Sequence, residues 1–334
     1  MAEITNMMLT WLDWAKRQTD GKIALIVEMM SKVNEIMLDM IMIPGNTEVG
    51  HKTTIRTGLP TVAWRQINEG IQPSKSTTKQ ITFTAGLLEG RGQVDEQLVK
   101  MASDGKAFRL SENAPFLEAL AQEIASTIFY GNVNVNPERF TGLSPYYSAL
   151  SGVDSSANVI DAGGKTAFGQ TSLWLIGWGE NAIHGFFPKN TQAGIEHNDK
   201  GVEPVSDDKG GKFYALVDQY ITQAGLAVRD FRFAVRICNI DVAALNSAGD
   251  ESDTSANIIK HMIQAINKLP NTQNVKLAWY CNRTVKTGLD IKAINKANVN
   301  LTVETLANGA PVTKMMGYPV RRCDAILDTE AVVI

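Results

Sequence analysis

Cysteine is scarce in this chain: three in 334 residues, Cys238, Cys281 and Cys323, all in the last third. An odd, widely spaced set offers neither a disulfide framework nor a CxxC pair, which fits a reducing setting such as the cytosol. Positive charge is not in surplus either. Lys and Arg number 32 against 35 Asp and Glu, a formal charge of −3, whereas counterion-release binding to nucleic acid needs a concentrated excess of cations. Long apolar runs are missing as well. Ile23 to Val27 is ended by Glu28, far short of the about 18 apolar residues of a membrane helix, so no contact with a membrane is expected. The opening Met-Ala-Glu carries no basic segment ahead of an apolar one and is not expected to be a signal peptide. Charge of either sign is low, 20% against roughly 25% in an average soluble domain. With 44% hydrophobic residues the chain can build a large core over roughly two domains' length. The shortage of charge leaves some surface uncharged without being strongly apolar, as at the centres of protein interfaces.

Signatures of catalysis are also wanting. Ala162-Gly163-Gly164-Lys165-Thr166 resembles the end of a phosphate loop, but Val159 stands where the leading glycine belongs and no helix follows. His51, His184, His197 and His261 are far apart and match no zinc spacing. Asp250-Glu251-Ser252-Asp253 lacks the alternating oxygens and central glycine of a calcium loop and reads as a solvated turn. No GxSxG is present, and Trp279-Tyr280-Cys281-Asn282 reads as a core strand meeting a helix cap at Asn282. No catalytic residue, metal ligand or cofactor is therefore expected, and the chain is not expected to be an enzyme.

What the sequence does contain is periodic pattern. Residues 7 to 43 carry apolar side chains at helical spacing, interrupted at Asp20-Gly21, with Met29, Met30, Met37, Met40 and Met42 crowded together, and Pro44-Gly45 ends the element. From Gly50 to Arg91 the texture turns to Thr, Gln, Ser and Lys in a long hairpin. Val62, Trp64 and Gln66 alternate on its outgoing arm, Ile81, Phe83, Ala85 and Leu87 share a face on the returning arm, and the turn lies between Asn68-Glu69-Gly70 and Ser74. The hairpin is net basic in an acidic protein, and a lone two-stranded ribbon is marginal in water, so it should lie on something. Pro115 is read in the first turn of a helix whose stripe, Leu117, Leu120, Ala121, Ile124, Ala125 and Ile128, ends at Gly131. Thr166 to Gly185, with one charge and Trp174 and Trp178, is buried or interfacial strand. Phe213 to Gln223 and Thr254 to Leu269 read as helices, Phe231 to Ile237 and Val275 to Cys281 as strands, and Tyr318 to Ile334 as mostly extended. Helices against a sheet make an α+β arrangement.

Four fragments then carry a resemblance. Gly58-Leu59-Pro60-Thr61-Val62-Ala63-Trp64-Arg65-Gln66-Ile67-Asn68-Glu69-Gly70 with Pro73 to Thr78 resembles the extended-loop segment of podovirus-type tailed-phage major capsid proteins. Phe129-Tyr130-Gly131-Asn132 through Pro137 to Leu143 is similar to the segment after that family's long helix. Thr171-Ser172-Leu173-Trp174 to Trp178-Gly179, with Phe187-Pro188-Lys189, and Gly317-Tyr318-Pro319-Val320-Arg321-Arg322-Cys323-Asp324-Ala325-Ile326 to Ala331 complete the set, in the family's order.

The resemblance implies the tailed-phage (Johnson) capsid fold. Its parts map as an N-terminal arm at 1–45, an extended β-hairpin loop at 46–92, a peripheral domain at 93–149 with a spine helix near 112–131, an axial domain at 150–310, and C-terminal strands at 311–334 returning to the peripheral domain. It implies a virion protein, assembled in the host bacterial cytoplasm, whose copies form hexamers and pentamers of an icosahedral shell around double-stranded DNA. Its partners would be a separate scaffolding protein, a portal and a cementing protein, with weak non-specific contact to the DNA. Arg56, Trp64, Arg65, Glu69, Lys75 and Lys79 are the candidates for contact between subunits, the basic ones meeting acidic surface on a neighbour. Arg321-Arg322 are read as an edge strand's guard against mispairing. A tail tube or decoration protein, and a nucleotide-dependent enzyme using Gly163-Gly164-Lys165, are the rival readings.

Overall fold

The computed structural model describes residues 34–101, 105–164, 169–206, 210–246, 254–270, 272–294, 301–305 and 311–334. The helical pattern read before residue 34, with Met29 and Met30, lies outside the described residues, as do Lys165 to Phe168 and the acidic cluster at 250–253. Helix α1, Ile36–Asp39, is a single turn, and Met40 is already extended. Strand β1, Met42–Pro44, then runs parallel to a central strand, with Met42 opposite Gly185. The expected helix thus stops before Pro44. Met40, Ile41 and Met42 are all buried, and three consecutive side chains cannot share one helix face, whereas a strand covered on both sides buries them all.

Among the described residues, strands β2, Gly50–Gly58, and β3, Thr77–Thr84, pair only with each other. Their ladder runs from Gly50 opposite Thr84 to Gly58 opposite Thr77. Val62, Trp64 and Gln66 lie beyond it, because Pro60 and Pro73 lack the amide that a continued ladder needs. Nor does the returning arm carry on through Leu87. Ala85 closes the ladder by donating its amide to Val49, and from Gly86 the chain is a different strand, β4, Gly86–Asp95, paired along ten residues with β9.

Helix α2, Glu96–Met101, leads to α3, Gly105–Tyr130, of 26 residues, about 39 Å long. The expected stripe is its buried face: Leu117, Leu120, Ala121, Ile124, Ala125 and Ile128 are all at most 5% exposed. Pro115, however, is interior to the helix. The buried stripe that follows offsets the hydrogen bond it removes.

The remaining strands are β5, Val159–Asp161; β6, Gln170–Trp178; β7, Ile183–Phe187; β8, Ile195–Ser206; β9, Lys212–Val228; β10, Ala234–Asp241; β11, Lys276–Cys281; β12, Leu301–Thr305; β13, Pro311–Met315; and β14, Tyr318–Arg322. Between them lie α4, Val242–Asn246, α5, Thr254–Lys268, and α6, Arg283–Ile294. One sheet runs β12-β13-β14-β11-β6-β7-β9-β4, with β8 added on β9 and β10 on β6. The segment Phe213 to Gln223, expected as helix, is part of the 17-residue β9. Its Val217, Tyr220, Ile221 and Thr222 are β-branched or aromatic, and they sit half or fully buried between β8 and β4.

Two hydrophobic cores lie on opposite faces of this sheet. Alternation along β6 serves both: Trp174, Ile176 and Trp178 belong to the core that holds α3, with Trp174 against Phe129, while Leu173 and Leu175 belong to the core that holds Met262 of α5 and Val285 and Leu289 of α6. Every residue of β6 and β7 is buried, so this charge-poor stretch is the subunit's own core. Among the described residues no helix is long and apolar enough to cross a membrane.

Candidate inter-subunit surface

Residues 59–76 project from the far end of the β2–β3 ladder, and nearly all are exposed. Leu59, Val62, Trp64 and Ile67 are 82%, 87%, 105% and 91% exposed, an apolar group that the described residues leave in water. Local bonds hold the tip: Ser74 Oγ donates to the Thr61 carbonyl (2.7 Å), Arg65 Nη1 to the Glu69 carbonyl (3.0 Å), and the Gln66 amide to Glu69 Oε2 (3.3 Å). Asn68 turns the chain at φ 73°, where asparagine tolerates the left-handed region.

Of the six candidates named from sequence, Trp64, Arg65 and Glu69 are brought together around one hollow at this tip, with Lys75 exposed on the returning side. Arg56 and Lys79 are exposed lower on the ladder, Arg56 opposite Thr78 and Lys79 opposite Ile55. Neighbouring ladder positions face opposite ways, so the two charges lie on different faces and the basic residues do not form a single one.

At the other end of the ladder is a cleft of about 230 Å³ between α3, β4 and the turn 138–140. Leu88, Ile124, Phe140 and Ala224 give it an apolar floor, and Glu123 and Glu138 stand at its rim. Glu123 pairs with Arg139 at 2.8 Å. With Glu123 and Arg139 paired, the exposed Glu138 leaves the cleft lining one net negative charge.

Among the described residues, three polar networks, each centred on a buried carboxylate and none legible in the sequence, fix the frame. Arg109 on α3 reaches Asp218 of β9 through Nε (2.7 Å) and Asp199 of β8 through Nη2 (2.6 Å). His197 and Asn113 also bond Asp218, and His197 stacks on Tyr220. Burial pushes the Asp218 carboxyl up, but the His197, Arg109 and Asn113 donors outweigh it and hold it at about 2. Glu330 of the C-terminal tail takes Arg236 at 2.9 Å and the hydroxyls of Tyr130 and Ser172. Buried Asp39 takes Lys276 (2.8 Å), Arg321 (3.1 Å) and the Tyr280 hydroxyl (2.9 Å). Arg321 is thus engaged internally, and Arg322 with Asp324. Their strand β14 lies between β13 and β11, which removes the edge-strand reading.

The Gly163-Gly164 turn is not shaped to cradle phosphate. The amides of Ala162 and Gly164 donate to the Cys238 and Asn239 carbonyls, and that of Gly163 to Asp161 Oδ1. Asn282 does cap α6, accepting from the Val285 amide at 2.9 Å. Burial raises the thiols of Cys238 and Cys323 to about 12, leaving them protonated and unreactive.

Comparison with known proteins adds three findings. The family described as Major capsid protein GP7 matches residues 18–334. A chain in the cryo-EM structure of bacteriophage Epsilon15 is similar at 34% identity and TM-score 0.69, over 100% of this chain and 99% of that one. A chain of the bacteriophage JBD30 capsid shares the fold at 10% identity and TM-score 0.52, over 87% and 91%. No curated protein sequence matches.

Proposed function

The chain belongs to the Major capsid protein GP7 family and is a podovirus-type, shell-forming capsid protein, and on that premise we propose how its copies join. They assemble as hexamers and pentamers that close an icosahedral shell around double-stranded DNA. Residues 46–92 act as the extended loop, laid across a neighbouring subunit. The arm is 1–45, the peripheral domain 93–149, the axial domain 150–310, and the strands from 311 return to the peripheral domain. Arg56, Trp64, Arg65, Glu69, Lys75 and Lys79 contribute to the contact. Each contact is weak alone, but a subunit held at several points gains effective concentration at all of them.

The observation that carries this reading is the uncovered tip. Four large apolar side chains in water are costly unless something covers them, and in this protein a neighbouring copy does. A separate scaffolding protein guides assembly in the host cytoplasm, and a portal and a cementing protein complete the virion. The DNA is touched only weakly, as the net charge of −3 implies.

Electron microscopy of the protein expressed with and without scaffold tests the reading. Replacing residues 59–76 with Asn-Gly should leave subunits that melt like wild type, because the tip is exposed on its own subunit, yet form no closed shells. Normal shells from that variant would overturn it.

A further inference from the structure

We propose that Trp64 of one copy seats in the cleft between α3, β4 and the turn 138–140 of the next copy, and that this tip-to-root contact closes the capsomer ring. The inference rests on the loop lying across a neighbour, and adds where it lands. The indole is the most exposed large apolar side chain of the described residues, at 105%. A cleft of about 230 Å³ with an apolar floor of Leu88, Ile124 and Phe140 has room for one large aromatic side chain. Charge agrees with shape. Arg65 follows Trp64 directly in the chain; of the charged residues lining the cleft, Arg139 is paired with Glu123 and Glu138 is exposed, so a seated indole brings Arg65 towards the Glu138 carboxylate in a partly dry setting.

Geometry selects the occupant. The cleft begins at Gly86, two residues beyond the end of β3, at the loop's root. The nine residues of β2 carry the tip about 27 Å away from that root, and no tip residue lines its own cleft. Tip and cleft are different surfaces at opposite ends of one ladder. A contact between them is therefore heterologous, and a heterologous contact that closes on rotation builds a ring.

The test is a cysteine pair, Trp64→Cys with Glu138→Cys, in the full chain. The three native cysteines are buried, so background cross-linking is low. Oxidised shells should yield covalent oligomers up to closed rings on denaturing gels, and each single variant should not. Closed shells without cross-linked oligomers, or with a link inside one subunit, would overturn the seating while leaving the capsid reading intact; failure of the wild-type chain to form shells would instead strike that reading. Should the double variant not assemble, a density map of wild-type shells decides, by showing the Trp64 indole inside the neighbour's cleft or outside it. Trp64→Ala should raise the subunit concentration needed for assembly about tenfold or more, as for a central aromatic anchor, and Trp64→Phe should restore most of the loss.

Discussion

His184 lies fully buried in β7, with its ring 5.4 Å from that of His51 at the root of the loop. The sequence shows four histidines far apart, and nothing in their spacing reveals that two of them meet. That pairing depends on β1 carrying the chain along β7, which places β2 beside it. Burial first, then the neighbouring His51 and Arg229, lower the His184 pKa from its ordinary 6.5 to about 4, against a smaller upward pull from the Gly179 and Glu180 backbone. His51 is lowered too, by burial and by Arg229. The sign follows from proton counts. Between pH 6.5 and 4 the unfolded chain binds the proton and the folded chain does not, so stability falls as the pH is lowered through that window and levels off below it. The full effect at His184 is about 3 kcal/mol. Thermal melting of dissociated subunits should therefore show a midpoint that declines from neutral pH to pH 4, and His184→Phe should flatten much of the decline. An unchanged slope in that variant would mean that the acid response originates elsewhere.

Among the elements, those whose burial is one-sided or total were readable: the stripe of α3, the charge-free β6 and β7, the amphipathic α5. Those whose form depends on partners distant in sequence were not. β9 has the composition of a strand, but its length makes sense only with β4 on one side and β8 on the other. The hairpin was visible, whereas the point where its ladder stops is set by two prolines, and among the described residues no third strand joins it. Gly131 is a subtler case. It ends the stripe of α3, where a glycine commonly supplies a left-handed cap, yet its φ is not among the positive ones. Glycine is needed for space: a Cβ there would lie 2.2 Å from the Phe140 carbonyl oxygen and 2.7 Å from that of Thr127. Both are backbone atoms, so Gly131→Ala must push the turn 138–143 off the helix. A destabilisation of about 1–3 kcal/mol in denaturant unfolding is expected, as for other overpacked sites. A loss below about 0.5 kcal/mol would show that the turn yields freely.

At the scale of the whole molecule, the low charge of the chain divides into two causes. Part of it is core: β6 and β7 need no charge because both faces of the sheet are covered. The other part is the loop tip, where apolar and uncharged polar side chains stand in water and only Arg65, Glu69 and Lys75 are charged among residues 59–76, a composition that suits a surface covered on assembly. The exposed carboxylate of Glu138 at the cleft is its proposed electrostatic counterpart. No composition figure reveals that pairing, because the basic and acidic sets nearly cancel in the net charge of −3. Charge reversal isolates it. Arg65→Glu places a carboxylate where the proposed contact meets Glu138, and like charges at close range oppose association. Shells of this variant should assemble only at higher subunit concentration. Added salt should narrow the gap from wild type, since a Debye length of about 10 Å at 0.1 M shrinks to about 3 Å at 1 M and screens the new repulsion. Light scattering across a salt series measures both effects. If Arg65→Glu shells formed at the wild-type concentration and came apart at the same salt, the charges at the tip would have no part in joining subunits, and the apolar seat of Trp64 would have to hold the contact alone.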